Sequence, residues 1–298
     1  MEYSVLGKST LKISEIGFGC MSMGKEDKLN SALVNRALDT GINFFDTADL
    51  YGFGMNEISL GKSLGKRRKE AIISTKVGNR WTEDKSGWEW NPSKEYILAA
   101  ADKSLMRLNT DYIDLYQLHG GTMEEKVEDI IEAFERLQVL GKIRYYGISS
   151  IRPNVIRKYT KRSSLVSVMM QYSLLDRRAE EICNAFLVPN KVGILARGSL
   201  AKGLLAGKQI TSYINYSAEE VGLAEAVLRK LSGALRTHTQ TALRFVLQQP
   251  FINGALVGIR TMDQLAEIAK TSDTPILTKN EIKMISESIP LNHYDQHT

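Results

Sequence analysis

The amino-acid sequence predicts an α/β fold in which eight parallel strands close into a (β/α)8 TIM barrel. Three observations carry this prediction: eight short apolar runs, helical patterns between them, and a length of 298 residues. A barrel commonly takes about 250 residues or more as one unit, although about 150 residues per domain is the general prior. Because no linker rich in Pro, Gly or Ser divides the chain, residues 1–298 are predicted to form a single domain.

The predicted strands are apolar without strict alternation, which is typical of strands buried on both faces of a parallel sheet. In chain order they are Ile16–Gly19, Asn43–Phe45, Ile72–Thr75, Ile113–Leu118, Tyr145–Ile148, Val166–Met170, Val192–Leu195 and Ala255–Val257. An N-terminal β-hairpin is expected before the first of them.

Helical periodicity fills the intervals between these runs. Three segments place their apolar residues on one helix face: Leu29, Leu33, Val34, Ala37 and Leu38; Ile97, Leu98, Ala101, Leu105 and Leu108; and Ile130, Ile131, Phe134, Leu137 and Leu140. Gly141 follows the third segment as a C-cap. Strands that alternate with helices predict βα units, here one per roughly 37 residues.

An open, doubly wound sheet is the alternative fold. It would place a G-x-G-x-x-G turn after the first strand and a helix directly behind that turn. The segment from Gly17 to Gly24 contains glycines, but no helix follows it at once, so it matches that fingerprint weakly. The closed barrel is therefore favoured.

The composition is that of an ordinary globular protein, with 43% hydrophobic residues and a formal net charge of +5. The densest basic run, from Lys62 to Lys69, is expected to be the exposed end of a helix rather than a nucleic-acid-binding patch. An anionic small molecule would also suit a modest positive charge.

The two cysteines, Cys20 and Cys183, are far apart and form no CxxC motif, so neither a metal site nor a disulfide framework is predicted. The N-terminal segment lacks the pattern of a signal peptide. No apolar run approaches the ~18 to 20 residues that a membrane span needs. A cytoplasmic setting is expected, and the sequence leaves the oligomeric state open.

Two segments are longer than the usual βα loop. One runs from Val77 to about Ser93, and the other from about Ala206 to Ala218. Loops that follow barrel strands lie on the C-terminal face, where active sites are built. The first segment contains all three tryptophans, Trp81, Trp88 and Trp90, which are predicted to line or cover an apolar substrate pocket.

Four polar residues lie at or just beyond the ends of successive strands: Asp46, Tyr51, Lys76 and His119. Taken singly, each has a structural interpretation, as a turn cap, a half-buried aromatic, an exposed strand terminus and a structural histidine. Taken together in a barrel, their side chains are expected to converge at one end.

The four side chains complement one another chemically. A tyrosine hydroxyl is a weak acid at neutral pH, and a lysine ammonium beside it stabilises the phenolate. An aspartate would hold the lysine in place, and a histidine would orient a carbonyl or relay a proton. This set predicts a proton-donating site for carbonyl reduction, provided that a hydride source lies alongside.

The segment GINFFDTADLYGFGMNEISLG, which begins at Gly41, is followed by STKVG, DYIDLYQLH, GKIRYYGISS and QYSLLDRR. In this order and spacing they resemble the aldo-keto reductase family, from YSVLGKSTLKISEIGFG near the N-terminus to about Glu267. The resemblance implies a (β/α)8 barrel that binds NADPH without a Rossmann fold. It also implies an Asp-Tyr-Lys-His tetrad, here Asp46, Tyr51, Lys76 and His119, with Tyr51 as the general acid in reduction.

The resemblance further implies contacts with the nicotinamide end of the cofactor. Ser149, Ser150 and Gln171 match the positions that hold the carboxamide, and Ser150 stands where many members have Asn. Arg197 stands at the position of the aromatic residue that stacks on the nicotinamide, and a planar guanidinium can also stack. The remaining implied residues at this end and along the cleft are Gly19, Met21, Asp46, Gly198 and Glu267.

At the phosphate end, the resemblance places three residues along the pyrophosphate: Leu200, Lys202 and Lys208. A helix start after Gly258 offers backbone N–H groups to a phosphate. Arg260, supported by Gln264, offers donors for the adenosine 2′-phosphate, so NADPH is favoured over NADH. Ile268 replaces the usual Asn that contacts adenine.

The sequence therefore predicts an NADPH-dependent oxidoreductase that reduces aldehydes or ketones to alcohols, with Tyr51 as proton donor. One alternative is an NADPH-binding redox sensor or accessory subunit with slow turnover. Another is a Schiff-base enzyme with Lys76 as nucleophile. The partner is expected to be a small carbonyl compound, with no nucleic acid and no membrane.

Overall fold

Eight parallel strands form a closed barrel in the computed structural model, which describes residues 1–296. In chain order the strands are β1 (Tyr3–Val5), β2 (Lys12–Ser14), β3 (Ile16–Gly19), β4 (Phe44–Asp46), β5 (Ile72–Val77), β6 (Asn79–Trp81), β7 (Trp88–Trp90), β8 (Ile113–Leu118), β9 (Ile143–Ser149), β10 (Ser167–Gln171), β11 (Gly193–Arg197) and β12 (Gly254–Gly258). The barrel order is β3-β4-β5-β8-β9-β10-β11-β12, and β12 pairs with β3 to close it.

The closed barrel confirms the predicted fold, and the open doubly wound sheet is wrong. Each of the eight predicted strands is present within two residues of its predicted bounds. β1 and β2 form the expected N-terminal hairpin, in which the two strands are antiparallel.

The helices surround the barrel. Those described are α1 (Asp27–Asp39), α2 (Met55–Leu64), α3 (Lys94–Leu108), α4 (Val127–Val139), α5 (Pro153–Arg162), α6 (Glu180–Ile182), α7 (Ala218–Leu231), α8 (His238–Leu247), α9 (Met262–Ala269) and α10 (Lys279–Ser286). Shorter helical turns lie at Cys20–Ser22, Tyr51–Gly54, Gly65–Glu70, Cys183–Leu187, Ala201–Ala206 and Lys270–Asp273. In the described part of the chain, no helix is both long enough and apolar enough to cross a bilayer.

Two groups of buried apolar side chains hold the fold together. The larger joins the outer faces of the strands to the helices, as in other layered α/β proteins. The smaller lies inside the barrel and contains Leu6, Leu11, Ile13, Phe44, Leu115, Val166, Met169, Leu195 and Leu256. Three of its members come from the N-terminal hairpin segment, so that segment closes one end of the barrel. The predicted polar site residues lie at the other end, where the strands have their carboxyl termini.

The basic run at the end of α2 is only partly a solvated surface. Arg68 pairs with the buried Asp114 at 2.8 Å, and only 11% of its side chain is exposed. Arg67 pairs with Asp39 and Glu70 on the surface. The expectation of an exposed helix end therefore fails at Arg68, which fastens the turn after α2 to the start of β8.

Candidate active site

The ends of three neighbouring strands bring the four predicted polar residues to one cavity. Asp46 is the last residue of β4, Lys76 lies near the end of β5, and His119 directly follows β8. Tyr51 begins the helical turn after β4. All four line a cavity of about 810 Å³ at the carboxyl ends of the strands.

Asp46 and Lys76 form a buried ion pair. Lys76 Nζ lies 2.6 Å from Asp46 Oδ2, and the two side chains are 1% and 8% exposed. Nζ also donates to the carbonyl oxygen of Thr47 at 2.7 Å, and Ser74 Oγ donates to Asp46 Oδ1 at 2.9 Å. Burial opposes the Lys76 ammonium, but Asp46 and Tyr51 outweigh burial and raise the pKa of Lys76. The lysine is therefore held as a cation.

Tyr51 and His119 face each other across this pair. Their rings meet edge to face with centroids 5.9 Å apart, and Lys76 Nζ lies 5.1 Å from the centroid of the Tyr51 ring. Burial, with Lys76 and Arg197 nearby, lowers the pKa of His119 to about 3. The imidazole is thus neutral at physiological pH. Its Nδ1 is buried and has no hydrogen-bond partner within residues 1–296.

The neutral state of His119 predicts a pH-dependent stability. An unfolded histidine binds a proton below about pH 6.5, whereas folded His119 binds one only near pH 3. The free energy of unfolding should therefore fall as the pH drops through this interval, by about 2 kcal/mol from this residue between pH 7.5 and pH 5. Urea unfolding of His119→Gln at both values should show a smaller fall than the wild type.

An equal fall in wild type and His119→Gln would contradict the buried, neutral assignment.

A second buried network lies behind the Tyr51 turn, and sequence reasoning missed it. Glu57 in α2 accepts from Thr75 Oγ1 and from Arg107 Nε, each at 2.6 Å. Tyr96 donates its hydroxyl to Asp49 at 3.3 Å, and burial together with Glu57 raises the pKa of Asp49 to about 8. The only signal in the sequence was a pair of acidic residues in the motif around Tyr51.

A glycine makes room for this network. Gly54 has φ +82°, and a Cβ there would lie 2.7 Å from Cδ of Arg107. A side chain at this position would therefore displace Arg107 from Glu57 and strain the backbone. The Arg107 side chain therefore packs closely against the turn that begins with Tyr51.

A basic cleft continues from the cavity. Its volume is about 390 Å³, and it shares Ser22, Gly198, Leu256, Gly258 and Arg260 with the larger cavity. The predicted cofactor residues that line this cleft are Gly198, Leu200, Lys202, Lys208, Gly258, Arg260, Gln264 and Glu267, and Ile268 lines it too. Gly19, Met21, Asp46, Ser149, Ser150 and Arg197 line the larger cavity instead.

The structure adds two details to this end of the cleft. Gly258 is the last residue of strand β12, and helix α9 begins after it at Met262, with Thr261 as its cap. Gln264 accepts a hydrogen bond from the backbone N–H of Arg260 at 2.9 Å, which fixes the backbone and leaves the guanidinium free to reach into the cleft.

Gln171 is placed differently from the other residues predicted to contact the nicotinamide. It lines an adjoining cavity of about 570 Å³, which shares Lys202 and Lys208 with the basic cleft. Its side-chain amide donates to the Tyr213 hydroxyl at 3.0 Å and accepts from Arg197 Nη1 at 3.2 Å. Arg197 and Tyr213 thus bind the two ends of the Gln171 amide.

The three tryptophans divide between two roles. Trp88 and Trp90 line the larger cavity, and 56% of Trp88 is exposed. Trp81 lies outside that wall, since its indole Nε1 donates to the carbonyl oxygen of Leu50 at 3.0 Å and its ring stacks on Phe53. The segment from Val77 to about Ser93, which contains these tryptophans, is not an irregular loop, because β6 and β7 form an antiparallel hairpin within it. Trp81 and Trp88 are direct partners in that hairpin, and Trp81 is the one that contacts the Tyr51 turn.

Comparison with known proteins gives a consistent result. The sequence profile of the Aldo/keto reductase family matches residues 15–290. The oxidoreductase YqkF of Bacillus subtilis is 44% identical over 301 residues, which cover 98% of this chain and 98% of that protein. An aldo-keto reductase from Bacillus halodurans, in its holo form, superposes with a TM-score of 0.93 at 44% identity and covers 100% of this chain and 99% of its own. A glycerol dehydrogenase from Gluconobacter oxydans superposes with a TM-score of 0.84 at 25% identity, covering 96% and 94%.

Proposed function

Since this chain belongs to the aldo/keto reductase family, we propose that it is an NADPH-dependent oxidoreductase that reduces aldehydes or ketones to alcohols. The observation that carries the proposal is the arrangement of Asp46, Tyr51, Lys76 and His119 in the wall of one cavity that opens into a basic cleft. When bound, a nicotinamide cofactor supplies the hydride that reduces a carbonyl carbon.

The residues present fit such a cofactor. The cleft carries three cations, Lys202, Lys208 and Arg260, which suit phosphate groups. Ser149 and Ser150 place hydroxyl groups in the larger cavity, where they would hold a carboxamide. The two cavities share a wall, so one extended molecule could span both.

The proton chemistry follows from the buried ion pair. Tyr51 would donate its hydroxyl proton to the carbonyl oxygen of the substrate, and the Lys76 ammonium would stabilise the tyrosinate that forms. Asp46 keeps Lys76 charged and in place through the 2.6 Å contact. His119 acts as a neutral hydrogen-bond donor that orients the carbonyl, because its lowered pKa of about 3 excludes an imidazolium near pH 7.

The environment of Lys76 disfavours the Schiff-base alternative. A lysine nucleophile needs an uncharged amine, whereas Lys76 is buried beside Asp46 and its pKa is raised. The redox-sensor alternative makes no use of a proton donor such as Tyr51.

A steady-state screen with aldehydes, ketones and diketones, each with NADPH and with NADH, tests the proposal. Carbonyl-dependent consumption of NADPH is expected. Tight NADPH binding without consumption by any compound would favour the redox sensor, and reductive trapping of a substrate on Lys76 by borohydride would favour the Schiff base.

Arg260 is expected to set the preference for NADPH. Replacing Arg260 with alanine removes the donors proposed for the 2′-phosphate, so the Kd for NADPH should rise about 10- to 100-fold. The Kd for NADH, which lacks that phosphate, should change little. Fluorescence titration with each cofactor provides both values.

Lys270 is a suitable control for the loss of charge. It is exposed and follows the far end of α9, so Lys270→Ala should leave the affinities for both cofactors nearly unchanged. Equal losses for NADPH and NADH in Arg260→Ala would contradict the phosphate assignment.

A further inference from the structure

One cation in the wall of the larger cavity has no role in the proposed chemistry. Four basic residues line that cavity: Lys76, Arg152, Arg197 and Arg260. Lys76 is neutralised by Asp46, and Arg197 and Arg260 belong to the proposed cofactor site. Only Arg152 has no role in the proposed chemistry, although its guanidinium is half-buried and lines the proposed reaction site.

Arg152 is held in place but is not neutralised. Its Nη1 donates to the carbonyl oxygen of Gly121 at 2.8 Å, and its backbone N–H donates to Ser150 Oγ at 3.2 Å. Its side chain forms no ion pair with a carboxylate among residues 1–296. The charge of Arg152 is only a minor cause of the lowered pKa of Glu124. Hydrogen bonding to Gly121 uses one nitrogen of the guanidinium, so the remaining donors are available to a ligand.

The contact with Gly121 places Arg152 near the proposed reaction site. Gly121 lies two residues beyond His119, and two residues span at most about 7 Å. Arg152 is therefore anchored near the chain segment that carries His119, and it lines the same cavity as Tyr51 and His119. Leu50, Trp88, Trp90 and Ile151 give this cavity apolar and aromatic surface, and the polar residues Asn79 and Thr122 also line it.

We propose that Arg152 forms a carboxylate subsite and that the preferred substrates are oxo acids, with an aldehyde or ketone joined to a single carboxylate by a short apolar spacer. A guanidinium binds a carboxylate through two parallel N–H···O bonds, which gives both affinity and orientation. A single unpaired cation matches a single negative charge, and the apolar wall matches the spacer. This inference rests on the proposed function, because it names the substrate class of the same site.

The test compares acids with neutral esters of nearly the same shape. The two pairs are 4-oxobutanoate with methyl 4-oxobutanoate, and 4-carboxybenzaldehyde with methyl 4-formylbenzoate, each assayed with NADPH. For the wild type, kcat/KM should be at least about tenfold higher for the acid of one pair, as expected for one charge-assisted contact.

Arg152→Met should lower kcat/KM for that acid about 10- to 100-fold, mainly through KM, and bring the acid-to-ester ratio close to one. Arg152→Lys keeps the charge without the planar fork and should give an intermediate ratio. Lys161→Met removes one positive charge from the exposed far end of the same helix, α5, and should keep the wild-type ratio. NADPH titration of each variant checks that the cofactor site is intact.

The two hypotheses fail in different ways. Equal turnover of acid and ester by the wild type, with an unchanged ratio in Arg152→Met and in Arg152→Lys, would overturn the carboxylate subsite and leave carbonyl reduction standing. Absence of NADPH consumption with these four compounds, while other aldehydes or ketones are reduced, would also overturn the subsite alone. Absence of consumption with every carbonyl compound would contradict the proposed function, and the subsite inference would fall with it.

Discussion

Replacing Tyr51 with phenylalanine is expected to lower kcat for carbonyl reduction about 10²- to 10⁴-fold, the range that loss of a positioned general acid produces. The phenyl ring keeps the edge-to-face contact with His119, so the cavity should keep its shape. NADPH affinity should change little because Tyr51 lies outside the cleft that carries the cofactor cations. Steady-state kinetics and NADPH titration on the same preparation measure the two effects separately.

Tyr145→Phe is the matched control for the loss of a hydroxyl group. Tyr145 lies near the start of β9, at the opposite end of the barrel strands from the cavity, and its hydroxyl contacts Thr10. This variant should keep wild-type turnover. Full activity in Tyr51→Phe would remove Tyr51 from the mechanism, whereas a parallel loss of NADPH binding would point to a distorted cavity instead.

The barrel and the four strand-end residues were predictable because their signals are local. The segment Ile113–Leu118 was recognisable as a buried strand although Asp114 and Gln117 interrupt its apolar residues, and His119 directly after it is placed by the strand rather than by distant contacts. Parallel strands in a closed barrel all end on the same face. Locating the strand ends in the sequence therefore locates most of the residues of the candidate site.

Side-chain contacts between segments that are distant in the chain could not be predicted from the sequence. Gln171 turns to Arg197 and Tyr213, and this depends on which of several polar partners lies nearest after folding. Trp81 and Trp88 pair directly in the β6–β7 hairpin, yet Trp81 stacks on Phe53 whereas Trp88 lines the larger cavity. Arg152 was not predictable as a site residue because an arginine before a helix is usually a surface residue, and only the fold brings it to the cavity.

Lys76→Met should be the variant with the largest combined effect on turnover and stability. It leaves Asp46 buried without a counter-ion, and removing one partner of a buried pair typically costs about 3–5 kcal/mol of unfolding free energy. Turnover should be lost as well, because no cation remains to stabilise the tyrosinate. Burial already raises the pKa of Asp46, so without Lys76 the carboxyl should protonate more readily and the destabilisation should shrink at lower pH.

A double variant separates the structural role of the pair from its chemical role. Asp46→Asn combined with Lys76→Met removes both charges, so much of the stability lost in Lys76→Met should return while turnover stays low. Urea unfolding and steady-state kinetics measure the two properties. Lys62→Met is the control, because Lys62 and Asp27 form an exposed pair that contributes at most about 1 kcal/mol. Recovery of turnover together with stability in the double variant would mean that Lys76 serves only to neutralise Asp46, and the proposed stabilisation of the tyrosinate would have to be abandoned.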